Sequence, residues 1–262
     1  MDLALTGRRA VVTGGTKGIG RAVVDELLRE GAAVAFCART ADDVKTTEEE
    51  FRAVAADTPV YGFVADVTEA EDCSRLIDDA TDQMNGLDIL VNNAGAARPG
   101  DFESLTDDDW HRDLDVKLFS QIRCVRAALP HLRRSDGARV ININAVYARY
   151  PDPEFFATSV NRAACLNLTK VLAQQYAPEG VLVNSVNIGF VVTAQWENIR
   201  NRRAPESSPD EFFSELAHRE VPLGRFGTAD EVSGVVAFLA SPRASYITGA
   251  SLDVAGAMGK YV

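Results

Sequence analysis

The chain offers its chemistry first as a run of small residues, Thr13-Gly14-Gly15-Thr16-Lys17-Gly18-Ile19-Gly20. It follows a short apolar run, Ala10-Val11-Val12, and opens a stretch with helical spacing. Glycines at 14, 18 and 20 let the chain turn tightly and bring backbone N–H groups to a helix start, where a pyrophosphate is held by those donors and the helix dipole. Glycine-rich turns alone are weak signals, but strand, loop and helix in this order point to a dinucleotide. The second apolar run ends in Cys37-Ala38-Arg39-Thr40. A carboxylate there would accept from a free ribose 2′-hydroxyl. Arg39 stands there instead, and Lys17 lies in the loop. Both cations suit a 2′-phosphate, so these residues predict NADP(H) over NAD(H).

The elements that must position this loop alternate along the chain. Strands are expected over residues 10–12, 33–37, 60–64, 89–91, 139–143, 182–186 and 250–254. Helices are expected over about 21–29, 43–55, 69–84, 106–132 and 158–176. Continuous apolar strands between helical stretches predict an α/β fold: a Rossmann-type, doubly wound sheet of seven parallel strands in three layers. No repeat or linker divides the chain, so one domain over 1–262 is expected. Ligands of such sheets sit outside the carboxyl ends of the strands. The least regular stretch, about 190–227, carries Trp196, Phe212 and Phe213 and reads as a substrate lid or as a surface excursion without a role. Within it, Arg200-Asn201-Arg202-Arg203 reads as a solvated turn or as a docking point for a phosphate-bearing or acidic carrier.

Composition narrows the function classes. A formal net charge of −11 over 262 residues argues against nucleic acid and anionic membranes as partners. No apolar run approaches the ~18–20 residues needed to span a bilayer, and no signal-peptide pattern is seen. Cys37, Cys73, Cys124 and Cys165 are scattered without a CxxC pair, which suits a cytoplasmic protein. His111, His131 and His218 have no second ligand-type residue at metal spacing, so no metal site is expected.

Several further motifs accompany the loop: Asp66-Val67 after the third strand, Asn92-Asn93-Ala94-Gly95 after the fourth, Leu166-Asn167-Leu168-Thr169-Lys170, Val183-Asn184-Ser185-Val186, and Tyr246-Ile247-Thr248-Gly249. With these the chain resembles the short-chain dehydrogenase/reductase family over essentially its whole length, most closely the 3-oxoacyl-carrier-protein reductase branch. The resemblance implies that Asp66 and Val67 flank the adenine. It implies that Asn93, Ala94 and Gly95 line the nicotinamide ribose and that Thr193, four residues after Gly189, reaches the carboxamide. The family's Pro-Gly at that turn is Ile188-Gly189 here. Homodimers or homotetramers are also implied.

The same resemblance exposes a contradiction. Members of the family use a Tyr as proton donor, a Lys four residues later, a Ser on the loop after the fifth strand, and an Asn on the preceding helix. None of the six tyrosines here has a Lys at its fourth following position. Aligned on the flanking motifs, the Tyr position falls on Thr158, the Lys position on Arg162, the Ser position on Ala145 and the Asn position on Lys117. An aliphatic hydroxyl is a far weaker acid than a phenol of pKa about 10. Arg162 stays charged and passes on no proton, yet it can hold a ribose hydroxyl or an anionic group. Substitute groups are at hand. Tyr147 is either a new acid or a pocket wall. Asn144 is a candidate for the orienting hydrogen bond. Lys117 is either a lysine of depressed pKa or half of a structural ion pair.

Three functions compete. The first is an NADP(H)-dependent oxidoreductase with a rearranged acid site, acting on a carbonyl or alcohol, free or carrier-bound. The second is a non-redox lyase, dehydratase or cyclase on the same scaffold. The third is a nucleotide-binding protein without turnover.

Overall fold

The computed structural model describes all residues except 1, 56, 57, 97, 98, 260 and 262. The sheet begins with β1 (Arg9–Thr13), β2 (Ala33–Ala38) and β3 (Val60–Val64). It continues with β4 (Ile89–Asn92), β5 (Arg139–Ala145), β6 (Leu182–Ile188) and β7 (Ser251–Val254). These seven strands stand in the order β3-β2-β1-β4-β5-β6-β7, and all pair in parallel. The order reverses between β1 and β4, which opens a crevice beyond their carboxyl ends.

Strand side chains alternate between two apolar layers. Ala10, Val12, Val34, Phe36, Ile89 and Val91 face α1 (Gly18–Arg29) and α9 (Ala229–Ala240). Val11, Ala35, Cys37, Leu90 and Val140 face α3 (Ala70–Met84) and α5 (Ser120–Leu132). A strand buried on both faces has no polar alternation, which is why these runs read as continuous apolar segments. The expected three-layer α/β fold is the one observed.

Helix α2 (Ala41–Val54) follows β2. The helix expected over 106–132 is interrupted: α4 (Asp107–Leu114) and α5 are joined by a π-helical turn at Asp115–Phe119. There the Ser120 N–H donates to Asp115 O, five residues back, and the Ser120 hydroxyl takes the Val116 carbonyl at 2.8 Å. The Lys117 carbonyl accepts from the Cys165 thiol on α6 (Phe156–Tyr176), at 3.4 Å.

The stretch expected to be irregular carries two helices, α7 (Ala194–Arg203) and α8 (Pro209–Glu220). A Ser208/Glu211 capping box starts α8. The Arg200 to Arg203 run is therefore the last turn of α7 and no loop. Both ends of the excursion meet: the Gly227 N–H donates to Phe190 O at 2.8 Å, and the Val192 N–H to Gly227 O at 3.0 Å. Among the described residues, no helix is long and apolar enough to cross a membrane.

Candidate active site

The glycine loop is built by close approach. Gly14 and Gly18 take positive φ (+70° and +54°), which favours glycine. A Cβ on Gly20 would collide with the Gly14 carbonyl oxygen, and one on Gly14 would stand 3.1 Å from Ala94 Cα. Asn93 Nδ2 donates to the Thr13 and Gly14 carbonyls at 2.9 and 3.1 Å, while Thr13 Oγ1 accepts from the Asn93 and Ala94 N–H groups at 3.0 Å each. The loops after β1 and β4 are thereby stitched into one rim over the start of α1.

This rim forms one end of a cleft of about 1200 Å³. Gly14, Thr16, Lys17, Gly18, Ile19 and Gly20 line it at the loop. Arg39, Thr40, Asp66 and Val67 line it beyond β2 and β3. Asn93, Ala94 and Gly95 line it beyond β4, and Gly189 and Thr193 beyond β6. A cradle kept free of Cβ atoms at a helix N-terminus fits a dinucleotide pyrophosphate. Asp66 is fixed by its own turn, accepting from the Thr68 hydroxyl at 2.8 Å. Lys17 pairs with Asp43 at 2.7 Å, a carboxylate the sequence argument had not placed beside it. Arg39 is exposed and has no hydrogen-bond or ion-pair partner among the described residues.

The other end of the cleft holds most of the replaced residues. Arg162 is half-buried, and Nη1 donates to Ile143 O at 2.7 Å. A Cβ on Gly95 would stand 3.1 Å from its Nη2, so the guanidinium lies against the turn expected to line the ribose. Burial lowers its pKa from the ordinary value. Lys117 Nζ pairs with Asp113 and donates to Thr158 Oγ1 at 3.1 Å. Asn161 Nδ2 donates to the other Asp113 oxygen at 2.8 Å. Burial, opposed by Asp113 and reinforced by Arg162, lowers Lys117 to about 8. Asp113 and Asn161 were missed by the sequence argument. The four-residue step from Asp113 to Lys117 on one helix was the available signal.

Asn144 corrects an expectation. It does not reach the cleft: its Nδ2 donates to the Arg162 backbone carbonyl at 3.1 Å. Alternation along β5 turns Ile143 and Ala145 to the cleft and Asn144 to the α6 side. Tyr147 does line the cleft. Its ring stacks on Phe155 (centroids 5.2 Å apart, 23° between planes). Burial and then the Asp152 carboxylate push its phenol well above the ordinary tyrosine value. Phe190 and Trp196 extend the aromatic wall, 4.5 Å between centroids.

Parallel-sheet order, glycine cradle and crevice define a dinucleotide-binding α/β protein of the doubly wound class. A family model described as enoyl-(acyl carrier protein) reductase matches residues 14–258. A 3-oxoacyl-(acyl-carrier-protein) reductase of Staphylococcus aureus is 31% identical over 252 residues, spanning 96% of this chain and 98% of that protein. The chain belongs to the short-chain dehydrogenase/reductase family.

Solved structures agree. A short-chain oxidoreductase from Pseudomonas aeruginosa PAO1, described as containing an atypical catalytic center, is similar with a TM-score of 0.93 and 37% identity over 100% of both chains. An NADPH-bound structure of the same description has a TM-score of 0.92 and 36% identity, over 98% and 99% of the two chains. L-Sorbose reductase from Gluconobacter frateurii, complexed with NADPH and L-sorbose, is similar with a TM-score of 0.96 and 26% identity over 100% of both chains.

Proposed function

We propose that this chain is an NADP(H)-dependent oxidoreductase that interconverts a carbonyl and an alcohol through a non-standard proton-delivery site. One observation carries the reading. The Cβ-free cradle and the polar group of Lys117, Thr158 and Arg162 open into a single cleft. The NADPH-bound relatives support the choice of coenzyme.

The loop N–H groups hold the pyrophosphate, and Arg39 with Thr40 and Lys17 holds the 2′-phosphate. Asp66 and Val67 border the adenine. Asn93, Ala94, Gly95 and Arg162 hold the nicotinamide ribose, with Gly189 and Thr193 beside the carboxamide. When bound, the nicotinamide supplies or accepts a hydride. Tyr147, Phe155, Phe190 and Trp196 give the substrate an apolar wall that excludes water. Residues 190–227 act as the lid of one functional unit over 1–262. The substrate is a small molecule, free or carrier-bound. The protein works in the cytoplasm as a homodimer or homotetramer, with Val160 and Val171 of α6 exposed for such contact.

Near-ultraviolet absorbance tests the reading directly. NADPH is expected to be consumed with at least one member of a panel of 3-oxoacyl thioesters, ketoses and quinones. Binding of NADPH with no consumption, and an isomerised or dehydrated product instead, would replace it with the non-redox reading.

A further inference from the structure

Two of the four replaced positions touch each other. Lys117 stands inside the π turn, and its Nζ lies between Asp113 of α4 and Thr158 of α6. Asp113, Lys117, Thr158 and Asn161 are 2%, 1%, 4% and 3% exposed, so bulk water solvates none of them. Three of the four (Asp113, Lys117 and Thr158) nevertheless line the cleft. A buried ion pair is a poor way to stabilise a fold, since apolar residues of like volume do as well or better. The π turn is also costly geometry, and such insertions recur at functional sites. Thr158 Oγ1 accepts from Lys117, and its own hydroxyl hydrogen has no acceptor among the described residues. The threonine therefore stands at the cleft wall with one donor unspent and a cation behind it.

We propose that Thr158 gives its hydroxyl proton to the substrate carbonyl oxygen and is refilled at once by Lys117, which Asp113 holds in place. The relay rests on the carbonyl-reduction reading above. The C=O π bond breaks as its carbon gains the hydride of that reaction. Its oxygen forms a bond to the Thr158 proton, and Thr158 Oγ1 takes a proton from Lys117 Nζ in the same movement. Lys117 is left a neutral amine and regains its proton from water after product leaves. Alcohol oxidation runs the same transfers backwards. The two transfers must be concerted, because a free threonine alkoxide is far too basic to form alone. Thr158 is the catalytic residue here; Lys117 and Asp113 act through it.

The charged and titratable groups facing Lys117 set its acidity. Burial lowers it, Asp113 of α4 raises it, Arg162 of α6 lowers it and Cys165 of α6 raises it, leaving it at about 8. A donor near the working pH is what proton transfer favours.

The first test needs no turnover. In full-chain protein without nucleotide, lysines are labelled with ¹³C at Cε, and Lys117 is assigned by its absence in Lys117→Arg. Its titration midpoint is expected about two units below an ordinary lysine at ~10.4, and lower still in Asp113→Asn. An ordinary midpoint overturns the relay. The second test uses whichever carbonyl supports NADPH consumption. Thr158→Val is expected to lower kcat by ~10²–10⁴-fold with KM little changed, and Thr158→Ser to recover most of the rate. Lys117→Arg keeps a cation beside Asp113 but releases no proton at working pH, so it is expected to lose kcat as well. Reductive kcat falls as pH rises through the Lys117 midpoint, and Asp113→Asn moves that limb to lower pH. A merely structural cluster would leave the limb in place. Wild-type kcat in Thr158→Val, or an unmoved limb, overturns the relay alone. No NADPH consumption by the wild type with any carbonyl overturns the reading and the relay together.

Discussion

Lys117 Nζ lies 3.1 Å from Thr158 Oγ1, although 41 residues of chain separate them. By family resemblance these positions hold an Asn and a Tyr in ordinary members. The two replacements are hydrogen-bonded to each other, and Asp113 and Asn161 complete the set. Asp113, Lys117, Thr158 and Asn161 are linked side chain to side chain, while the Thr158 hydroxyl hydrogen and the neighbouring Arg162 Nε have no partner among the described residues.

On the proposed reading Arg39 is the group that senses the coenzyme's 2′-phosphate. Its guanidinium has no partner among the described residues, whereas Lys17 is already paired with Asp43. Losing a hydrogen bond to a charged group costs about 1.5–3 kcal/mol, or roughly 10–100-fold in Kd. Arg39→Ala is therefore expected to weaken NADPH by that factor and to leave NADH nearly unchanged. Calorimetry with both nucleotides checks this; equal losses would show that Arg39 does not sense the 2′ position.

Arg162 makes the opposite prediction. It abuts Gly95 and reaches no part of the Arg39 end of the cleft. Arg162→Met should weaken NADPH and NADH by a similar factor, roughly tenfold or more. It should also lower Tm, because the Ile143 carbonyl loses its guanidinium donor. A discriminating effect between the two coenzymes would remove Arg162 from the ribose.

Tyr147 lines the cleft with its ring stacked on Phe155, and burial, then the Asp152 carboxylate, raises its pKa, the wrong direction for an acid working near neutrality. Tyr147→Phe keeps the stacking on Phe155. Its kcat should stay far from the ~10²–10⁴-fold loss that follows removal of a general acid. Steady-state kinetics with any accepted carbonyl decides, and a loss of that size would restore Tyr147 as the donor.

The Arg225–Glu231 pair at the base of the 190–227 excursion predicts a loss of stability in acid. Arg225, then the Thr228 N–H, lowers the Glu231 carboxyl from 4.5 to about 2. A depressed folded-state pKa gives stability that is full above the unfolded value and fades as pH falls through the folded one. The Tm gap between wild type and Glu231→Gln should thus be complete at pH 7 and close between about pH 4.5 and 2. Thermal melts across that range test it; a gap that persists at the lowest pH would exclude the carboxylate as its source.

The sheet and the cradle were legible because their constraints are local. Val11 and Val12 are buried on opposite faces, so the strand appears as an unbroken apolar run, and Gly14, Gly18 and Gly20 are fixed by backbone approach. Helices α7 and α8 were missed because α7 is mostly polar and its buried residues, Trp196 and Ile199, meet partners far away in sequence. The Ser208/Glu211 box was a readable start for α8. Asn144 was misassigned because one residue of register along β5 swaps the faces. The Lys117 cluster joins α4, the π turn and α6, and no spacing rule brings Asn161 to Asp113 across 48 residues.

The pinned ends of the 190–227 excursion carry a consequence for how this protein can diversify. Departure and return points coincide at Phe190, Val192 and Gly227, so the sheet registers neither the length nor the composition of what hangs between them. Thr193 stands inside these pins and against Gly18 of the glycine loop, so a relative's excursion grafted between residues 194 and 226, with Thr193 kept, should transplant preference while the nucleotide is held as before.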